Sequence, residues 1–257
     1  MKNQKTKQIL WMVLLILFTF GMGLTSCSDE QAKDHGHKWG YTGDHGPEHW
    51  EGDCRTGKKQ SPINIVSKEA ISSKKLAKLR MNYKNVTPSI INNGHTIQVN
   101  YPEGSTLAIG NKTYKLLQFH FHTKSEHAVN GKLYELEMHL VHKNDNGQLA
   151  VVGILFKIGK ENSFLSKIWS ELPKSSGETK TLSAEINAKD VLPRKLSYYT
   201  YSGSLTTPPC SEGVRWLVIR KISSASSNQI SEFTKLFPVN NRPVQSLNGR
   251  KVKVKKR

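Results

Sequence analysis

The chain of 257 residues predicts a mainly β, single-domain protein with a few short helices. Apolar runs of strand length dominate the sequence, and asparagine–glycine turn signals separate them. Helical periodicity is confined to two short stretches. From about His37 onward no repeat or low-complexity linker interrupts the chain, and a domain of this size buries one substantial core.

The individual elements follow from these patterns. We predict strands at residues 89–99, 106–109, 114–122, 134–142, 150–157 and 214–222, and helices at residues 161–169 and 228–236. Residues 250–257 alternate largely between basic residues and valine, which is typical of an edge strand with a charged outer face. A membrane-contacting patch is the alternative interpretation of this tail, and we favour the strand.

Residues 1–26 are typical of a secretory signal. Three lysines within the first seven residues precede an uncharged apolar run over residues 9–24, which is short for a membrane span. The run ends in Leu-Thr-Ser-Cys at residues 24–27, which resembles the lipobox of bacterial lipoproteins, where the cysteine is acylated. An uncleaved membrane anchor is the alternative. We therefore expect a lipoprotein signal peptide at residues 1–26, a lipid-anchored tether at 27–36 beginning with Cys27, and an exported domain at 37–257.

The formal net charge is +18, and it is +15 without residues 1–26, which hold three lysines and no acid. No basic stripe is interleaved with aromatic residues, so the composition argues against nucleic-acid binding. In an exported protein the charge fits an anionic membrane, a cell-surface environment or a solubilising surface. We expect a periplasmic or cell-surface location, anchored to the membrane through Cys27.

The two remaining cysteines, Cys54 and Cys210, are an even pair in an exported domain, for which a disulfide is the default expectation. Zinc ligation by these cysteines is the alternative. It lacks a neighbouring cysteine or histidine at the spacing of a zinc knuckle.

Three histidines carry the strongest chemical signal. His120 and His122 are one residue apart on a predicted strand, so their side chains lie on one face, opposite to Phe119 and Phe121. His139, on a neighbouring antiparallel strand, completes a three-nitrogen face that leaves a fourth metal position open, as in a catalytic zinc site. On the same faces, Gln118 and Glu137 are placed to accept hydrogen bonds from His120 and His139. Alternation directs His142 away from the metal.

These residues lie within a longer series of motifs. The series contains His120-Phe121-His122, Ser125-Glu126-His127, residues 137–142, Trp39-Gly40-Tyr41, residues 46–50, 60–65, 92–95 and 202–210, and Asn240-Asn241-Arg242-Pro243. In their order along the chain, these motifs resemble the α-class carbonic anhydrases, here of the bacterial type, over residues 37–248. The resemblance implies a large, mostly antiparallel central sheet with one zinc ion at the base of a conical cleft.

The resemblance also implies the chemistry. His120, His122 and His139 would bind Zn²⁺, and the zinc-bound hydroxide would convert CO₂ reversibly to bicarbonate and a proton. Thr206 would accept the hydroxide's hydrogen bond and donate its own proton to Glu126. Asn240 stands with Gln118 and Glu137 among the residues behind the ligands. The Cys54–Cys210 pair resembles the family's extracellular disulfide.

Substrate and proton positions follow from the same resemblance. The family's CO₂ pocket corresponds to Val141, Val151, Leu205, Val214 and Trp216. His95 corresponds to the proton shuttle, a role that suits a side chain with a pKa near ~6.5. The residues that order the connecting waters correspond to Tyr41, Asn93, Gln98 and Thr207.

Two other functions compete with this interpretation. One is a catalytically silent, zinc-bearing binding or adhesion module of the same fold, but such modules typically lack a ligand histidine and none is missing here. The other is a metal-scavenging lipoprotein, which would require a long flexible histidine tract that the chain lacks. The expected partners are CO₂ and bicarbonate, together with a membrane at the lipid anchor. The protein could be a monomer or a homodimer.

Overall fold

A computed structural model describes residues 39–256. The predicted signal peptide and tether, including Cys27, lie outside the described residues. Within residues 39–256 no helix is both long enough and apolar enough to cross a membrane. The described part is a single, mainly β domain, as the sequence predicts.

Fifteen strands, three α-helices and two 3-10 turns make up residues 39–256. The strands are β1 Asn64–Ile65, β2 Ile71–Ser72, β3 Leu79–Asn82, β4 Ser89–Asn92, β5 Ile97–Asn100, β6 Thr106–Ile109, β7 Lys112–His122, β8 Ala128–Val129, β9 Leu136–Lys143, β10 Leu149–Ile158, β11 Thr179–Thr181, β12 Tyr198–Ser204, β13 Glu212–Ile219, β14 Ser223–Ala225 and β15 Lys253–Lys255. The helices are α1 Asp53–Thr56, α2 Ser163–Trp169 and α3 Ser227–Leu236, and the 3-10 turns are Gly43–His45 and Pro47–His49.

Thirteen of these strands form one sheet, whose main path runs β11-β4-β5-β7-β9-β10-β13-β12-β15-β2. Nine strand pairs in it are antiparallel. Three are parallel, namely β10 with β13, β10 with β14, and β15 with β2. The prediction of a large, mostly antiparallel sheet is confirmed, and β1 and β8 form a separate parallel pair.

Alternating residues of the central strands enter two different hydrophobic cores. On β10, Val152 and Ile154 belong to a large core that also includes Phe164 and Phe233 of helices α2 and α3. Val151 and Leu155, the residues on either side of this pair in sequence, belong to a smaller core. Because successive strand residues point to opposite faces, the two cores lie on opposite sides of the sheet. Phe119 and Phe121 enter the large core, so the side chains between them face the smaller one.

Strand β7 contains an irregularity that determines this arrangement. Tyr114 and Leu116 enter the large core, and so do Phe119 and Phe121, although the two pairs are out of step with a strict two-residue alternation. The register with β9 shifts between Leu116 and Gln118, which is a β-bulge. Leu117, the extra residue, is 41% exposed.

Local sequence explains where helices α2 and α3 begin. Asn162 caps α2 by accepting hydrogen bonds from the backbone N–H groups of Phe164 and Leu165, so the helix starts later than the predicted residue 161. Ser226 and Gln229 form a reciprocal capping box at the start of α3.

Two strand predictions need correction. The run at residues 89–99 is two strands, β4 and β5, because Gly94 adopts a φ of +84° in a turn between them. The C-terminal strand β15 exists, but it is not the edge strand that we expected. It pairs with β12 on one side and with the short β2 on the other, and Val252 and Val254 are buried.

His142 lies on the large-core side, away from the other strand histidines, as alternation predicts. Its Nδ1–H donates to the Ala150 carbonyl at 3.1 Å, and its Nε2 accepts from the Tyr83 hydroxyl at 2.7 Å. The ring is fully buried, and burial lowers the pKa of His142 to about 4. His142 is therefore neutral in the folded protein at pH 7.

This buried histidine should make the fold less stable in mild acid. Below a pH of about 6.5 the unfolded chain binds a proton at this position, whereas the folded chain does so only below about 4, so stability falls as the pH falls. The contribution lost by about pH 4.5 is about 2–3 kcal/mol. Urea unfolding of the wild type and of His142→Gln should be measured at about pH 7 and about pH 4.5. The free energy of unfolding should fall less in the variant than in the wild type. An identical loss in both proteins would contradict the prediction.

Candidate metal and catalytic site

Strands β7 and β9 bring three histidines together on the smaller-core side of the sheet. His120 and His139 are directly opposite each other in the antiparallel register, and His122 follows two residues later on β7. Their ring centroids are 5.0 Å apart for His120 and His122, 5.3 Å for His120 and His139, and 4.6 Å for His122 and His139. One ring nitrogen of each lies within 4.8 Å of the other two. The predicted three-nitrogen face is therefore present.

The other ring nitrogen of each histidine is held by an acceptor. His120 Nδ1–H donates to Gln118 Oε1 at 2.9 Å, and His139 Nε2–H donates to Glu137 Oε1 at 2.9 Å, both as predicted. His122 Nδ1–H donates to the backbone carbonyl of Asn240 at 2.7 Å. These bonds fix each tautomer and leave Nε2 of His120, Nε2 of His122 and Nδ1 of His139 as lone-pair donors.

This donor set fits a zinc ion. His122 Nε2 is buried without a hydrogen-bond partner, an arrangement that is costly unless a ligand uses the nitrogen. Burial lowers the pKa of both His120 and His122, which keeps the rings in the neutral form that binds metal. Within residues 39–256 this cluster has three imidazole nitrogens and no fourth protein ligand, which matches a catalytic zinc site.

Asn240 supports the site from the loop before β15. Its side-chain oxygen accepts from the backbone N–H of Thr123 at 2.6 Å, and its amide donates to the carbonyls of Phe121 and His95 at 2.9 and 3.0 Å. One residue therefore orients His122 and also links the end of β7 to the turn that carries His95.

Glu137 accepts more hydrogen bonds than the one from His139 that the sequence predicts. It accepts four hydrogen bonds, from the His139 and His127 rings and from the backbone N–H groups of Glu126 and His127. Burial by itself would raise the pKa of Glu137, but the two imidazoles lower it below its usual range, so the carboxylate is ionised. His127, Glu137 and His139 also come close enough for a metal. Hydrogen bonds to one carboxylate oxygen already account for that proximity.

A buried chain of hydrogen bonds extends from Glu137 through His127. His127 Nε2 accepts from the Tyr201 hydroxyl at 2.7 Å, and Tyr201 in turn accepts from Ser61 Oγ at 2.9 Å. The two ring partners of the buried His127 are therefore Glu137 and Tyr201. The chain fixes the orientation of the carboxylate that holds His139.

Gly153 on β10 is a requirement of the site that sequence reasoning missed. It lies opposite His139 in the antiparallel register. A Cβ atom at this position would come within 2.9 Å of Glu137 Oε1 and 3.8 Å of the Trp216 ring. Any larger residue would therefore displace the carboxylate, and a glycine within a continuous apolar run is the only signal of this.

Glu126 is fully buried beside the histidines, with Oε2 lying 3.8 Å from His139 Nδ1. Its Oε1 accepts from the backbone N–H of Arg242 at 2.9 Å, whereas Oε2 has no hydrogen-bond partner. The hydrogen bond expected from Thr206 to Glu126 is therefore not formed in this structure, although Thr206 is buried. The orphaned oxygen remains available for a hydroxyl donor.

A disulfide and a buried arginine hold the loop that carries Thr206 and Thr207. Cys54 and Cys210 are bonded, as predicted, and this joins the loop to helix α1. Arg242, which the sequence does not mark as buried, donates to the carbonyls of Cys54 and Ser61, each at 2.7 Å, and to Gln60 Oε1 at 2.8 Å. These contacts fix the loop position relative to Glu126.

The five residues predicted to form the substrate pocket share one apolar cluster. Val151 lies next to Val141 on β9 and next to Trp216 on β13. The Trp216 ring is 4.8 Å from the His139 ring, measured between centroids. Val214 and the partly buried Leu205 belong to the same cluster. An apolar wall therefore stands beside the three histidines.

His95 lies in the β4–β5 turn and is half-buried. Its ring stacks on Trp39 with centroids 3.8 Å apart and planes 9° apart, and Tyr41 approaches edge-on at 6.5 Å. Burial lowers the pKa of His95. Nearby, Asn93 Oδ1 accepts from the backbone N–H of His95 at 3.0 Å, and Gln98 lies opposite His120 in the sheet register. The structure thus brings His95, Tyr41, Asn93 and Gln98 to the region of the site.

Comparisons with known proteins agree with this geometry. Residues 45–256 match the family model described as eukaryotic-type carbonic anhydrase. A carbonic anhydrase of Neisseria gonorrhoeae is 45% identical over 89% of this chain and 93% of its own, and one of Nostoc sp. is 44% identical over 93% and 94%. The solved α-carbonic anhydrase of Thermovibrio ammonificans in complex with sulfanilamide superposes with a TM-score of 0.82, at 46% identity, over 84% of this chain and 98% of that chain.

Proposed function

Since this chain belongs to the eukaryotic-type carbonic anhydrase family and is a carbonic anhydrase, an enzyme of reversible CO₂ hydration, we propose that it works through one zinc ion held by His120, His122 and His139. The observation that carries the proposal is the cluster of one ring nitrogen from each of the three histidines, within 4.8 Å of one another, one of which is buried without a hydrogen-bond partner. The other ring nitrogen of each histidine is held by an acceptor. When bound, zinc lowers the pKa of a water molecule to about 7 and supplies a nucleophile at neutral pH, a chemistry for which carbonic anhydrase is itself the reference example.

The residues of this chain would then prepare the reaction. Glu126 Oε2 lacks a donor, and our proposal assigns the Thr206 hydroxyl to it. A threonine that donates to Glu126 must use its oxygen lone pairs towards the reacting oxygen, which orients that oxygen for attack on carbon. The wall of Val141, Val151, Leu205, Val214 and Trp216 would hold CO₂, which is small and apolar.

The metal requirement can be tested directly. Stopped-flow CO₂ hydration and metal content should be measured on the same protein before and after chelation, and again after zinc is restored. We expect activity to fall with zinc content and to return with it. Full activity in a metal-free protein would refute the mechanism. Zinc retained without any activity would support the silent binding module, which the intact ligand set does not favour.

His95 is proposed as the group that carries the proton to buffer, with Tyr41, Asn93, Gln98 and Thr207 ordering the intervening waters. We expect His95→Ala to slow turnover at least about tenfold in dilute buffer, because no side chain would then relay the proton. Imidazole should restore the rate, and high concentrations of buffer should mask the defect. A rate independent of buffer in the variant would remove His95 from this role.

We further propose that the enzyme is exported and anchored by an acylated Cys27. The basic start, the apolar run at residues 9–24 and the cysteine at residue 27 support this proposal, and the Cys54–Cys210 disulfide suits an oxidising compartment. Metabolic labelling with palmitate should modify the wild type and not Cys27→Ser. Equal labelling of both proteins would contradict the assignment.

A further inference from the structure

A groove with a cavity volume of about 400 Å³ lies between the C-terminal strand and residues 194–198. Among residues 39–256, five basic residues and no acidic residue line it. We call it the basic groove, and its basic residues are Lys78, Arg194, Lys195, Lys255 and Lys256.

Within the part of the chain that the structure describes, no carboxylate forms an ion pair with the basic residues of this groove. The ion pairs that Lys and Arg side chains form within residues 39–256 are Lys115–Asp145, Lys124–Glu135 and Lys180–Glu178. None of them involves the basic groove. Lys255 Nζ donates to the backbone carbonyl of Lys74 at 3.2 Å, which brings no negative charge. Like charges gathered in this way repel one another and attract an anionic partner.

The basic surface continues beyond this groove. A neighbouring cavity of about 740 Å³ shares Leu79, Arg194 and Leu196 with it. That cavity adds two further basic residues, Arg80 and Lys189, and one acidic residue, Asp190. The positive potential therefore extends over a surface wider than one small ligand.

We propose that the basic groove is the surface through which the domain rests on an anionic lipid bilayer. A juxtamembrane Lys or Arg strengthens binding to such a surface by about fivefold. Nucleic acid is a poorer fit, because the aromatic residue of the groove, Tyr198, is only 1% exposed and presents no face for base stacking. The proposal rests on the anchoring through Cys27 only in that the anchor keeps the domain close to the bilayer, because residues 28–38 can span at most about 40 Å.

Vesicle binding tests the surface without the anchor. Residues 38–257 form a compact unit that contains every hydrophobic core described above, so this domain can be used by itself. Its binding to phosphatidylcholine vesicles with and without phosphatidylglycerol should be measured by co-sedimentation at low and at raised ionic strength. We expect binding that requires phosphatidylglycerol and weakens with salt.

Two matched triple variants locate the interaction. Lys78→Gln, Lys195→Gln and Lys256→Gln remove three exposed charges from the basic groove, whereas Lys167→Gln, Lys174→Gln and Lys235→Gln remove three exposed charges elsewhere. We expect the first variant to bind the anionic vesicles on the order of 100-fold more weakly and the second to bind nearly as well as the wild type. CO₂ hydration should be unchanged in both, which shows that each is folded.

Three outcomes would overturn the proposal. These are no binding of the wild-type domain to phosphatidylglycerol vesicles, equal weakening in both variants, and tighter binding to duplex DNA that only the basic-groove variant loses. The last outcome would assign the groove to nucleic acid. Because neither the anchor nor the catalytic site enters the measurement, failure here leaves the proposed mechanism and the acylation of Cys27 to their own tests.

Discussion

Replacing His139 with alanine is expected to abolish zinc binding and to lower CO₂ hydration by more than about 100-fold, which exceeds the usual cost of losing a group that merely supports a ligand. His139 supplies one of the three clustered ring nitrogens, and in the variant its partner Glu137 would lose one of its four hydrogen bonds. Two imidazoles on β7 cannot complete a tetrahedral site by themselves. Metal content and stopped-flow hydration measure the two effects separately.

His142→Gln is the matched control for this variant. His142 is on the same strand and is equally buried, but it faces Tyr83 in the large core. The control should retain zinc and activity at pH 7, so a general disturbance of β9 can be distinguished from loss of a ligand. A His139→Ala protein that kept stoichiometric zinc and wild-type activity would refute the proposed ligand set.

Enlarging Val151 to tyrosine is expected to reduce CO₂ hydration by about 100-fold or more while zinc remains bound, because displacement of a small substrate by about 1 Å has effects of that size. Val151 is 2% exposed and lies between Val141 and Trp216 in the sheet register. A phenol at this position would occupy the apolar wall beside His139.

Val151→Ala is the matched control for the tyrosine variant, since it opens space at the same position and should retain most of the activity. Metal content and urea unfolding of Val151→Tyr establish that the protein is folded and loaded, because overpacking a core costs about 1–3 kcal/mol. Normal hydration by the folded, metal-loaded tyrosine variant would remove Val151 from the substrate pocket.

Short-range regularities of the sequence predicted much of the ligand set. Two-residue alternation is a local property, so it correctly placed His120 and His122 on one face, paired His120 with Gln118, and directed His142 the other way. The same rule could not show that β10 is parallel to β13, because pairing between distant strands leaves no local pattern.

What the sequence could not predict depends on three-dimensional convergence. The four donors to Glu137 come from β9 and from the segment after β7, and only the folded chain brings them together. Arg242 is a charged residue that would ordinarily be expected at the surface, yet backbone carbonyls from the Cys54–Ser61 region surround it. Thr206 was inferred from family resemblance, and the structure leaves its proposed acceptor, Glu126 Oε2, without a partner.

The β-bulge at Leu117 has a consequence for how this enzyme can change during evolution. Before the bulge the even-numbered residues Tyr114 and Leu116 enter the large core, and after it the odd-numbered Phe119 and Phe121 do. If the same residues followed strict alternation from Leu116 with no bulge, His120 and His122 would face the hydrocarbon interior and the two phenylalanines would face the substrate. Deletion of Leu117 would therefore remove the bulge and leave both histidines on their present face, whereas deletion of Phe121 would make His120 and His122 consecutive and place them on opposite faces of the sheet.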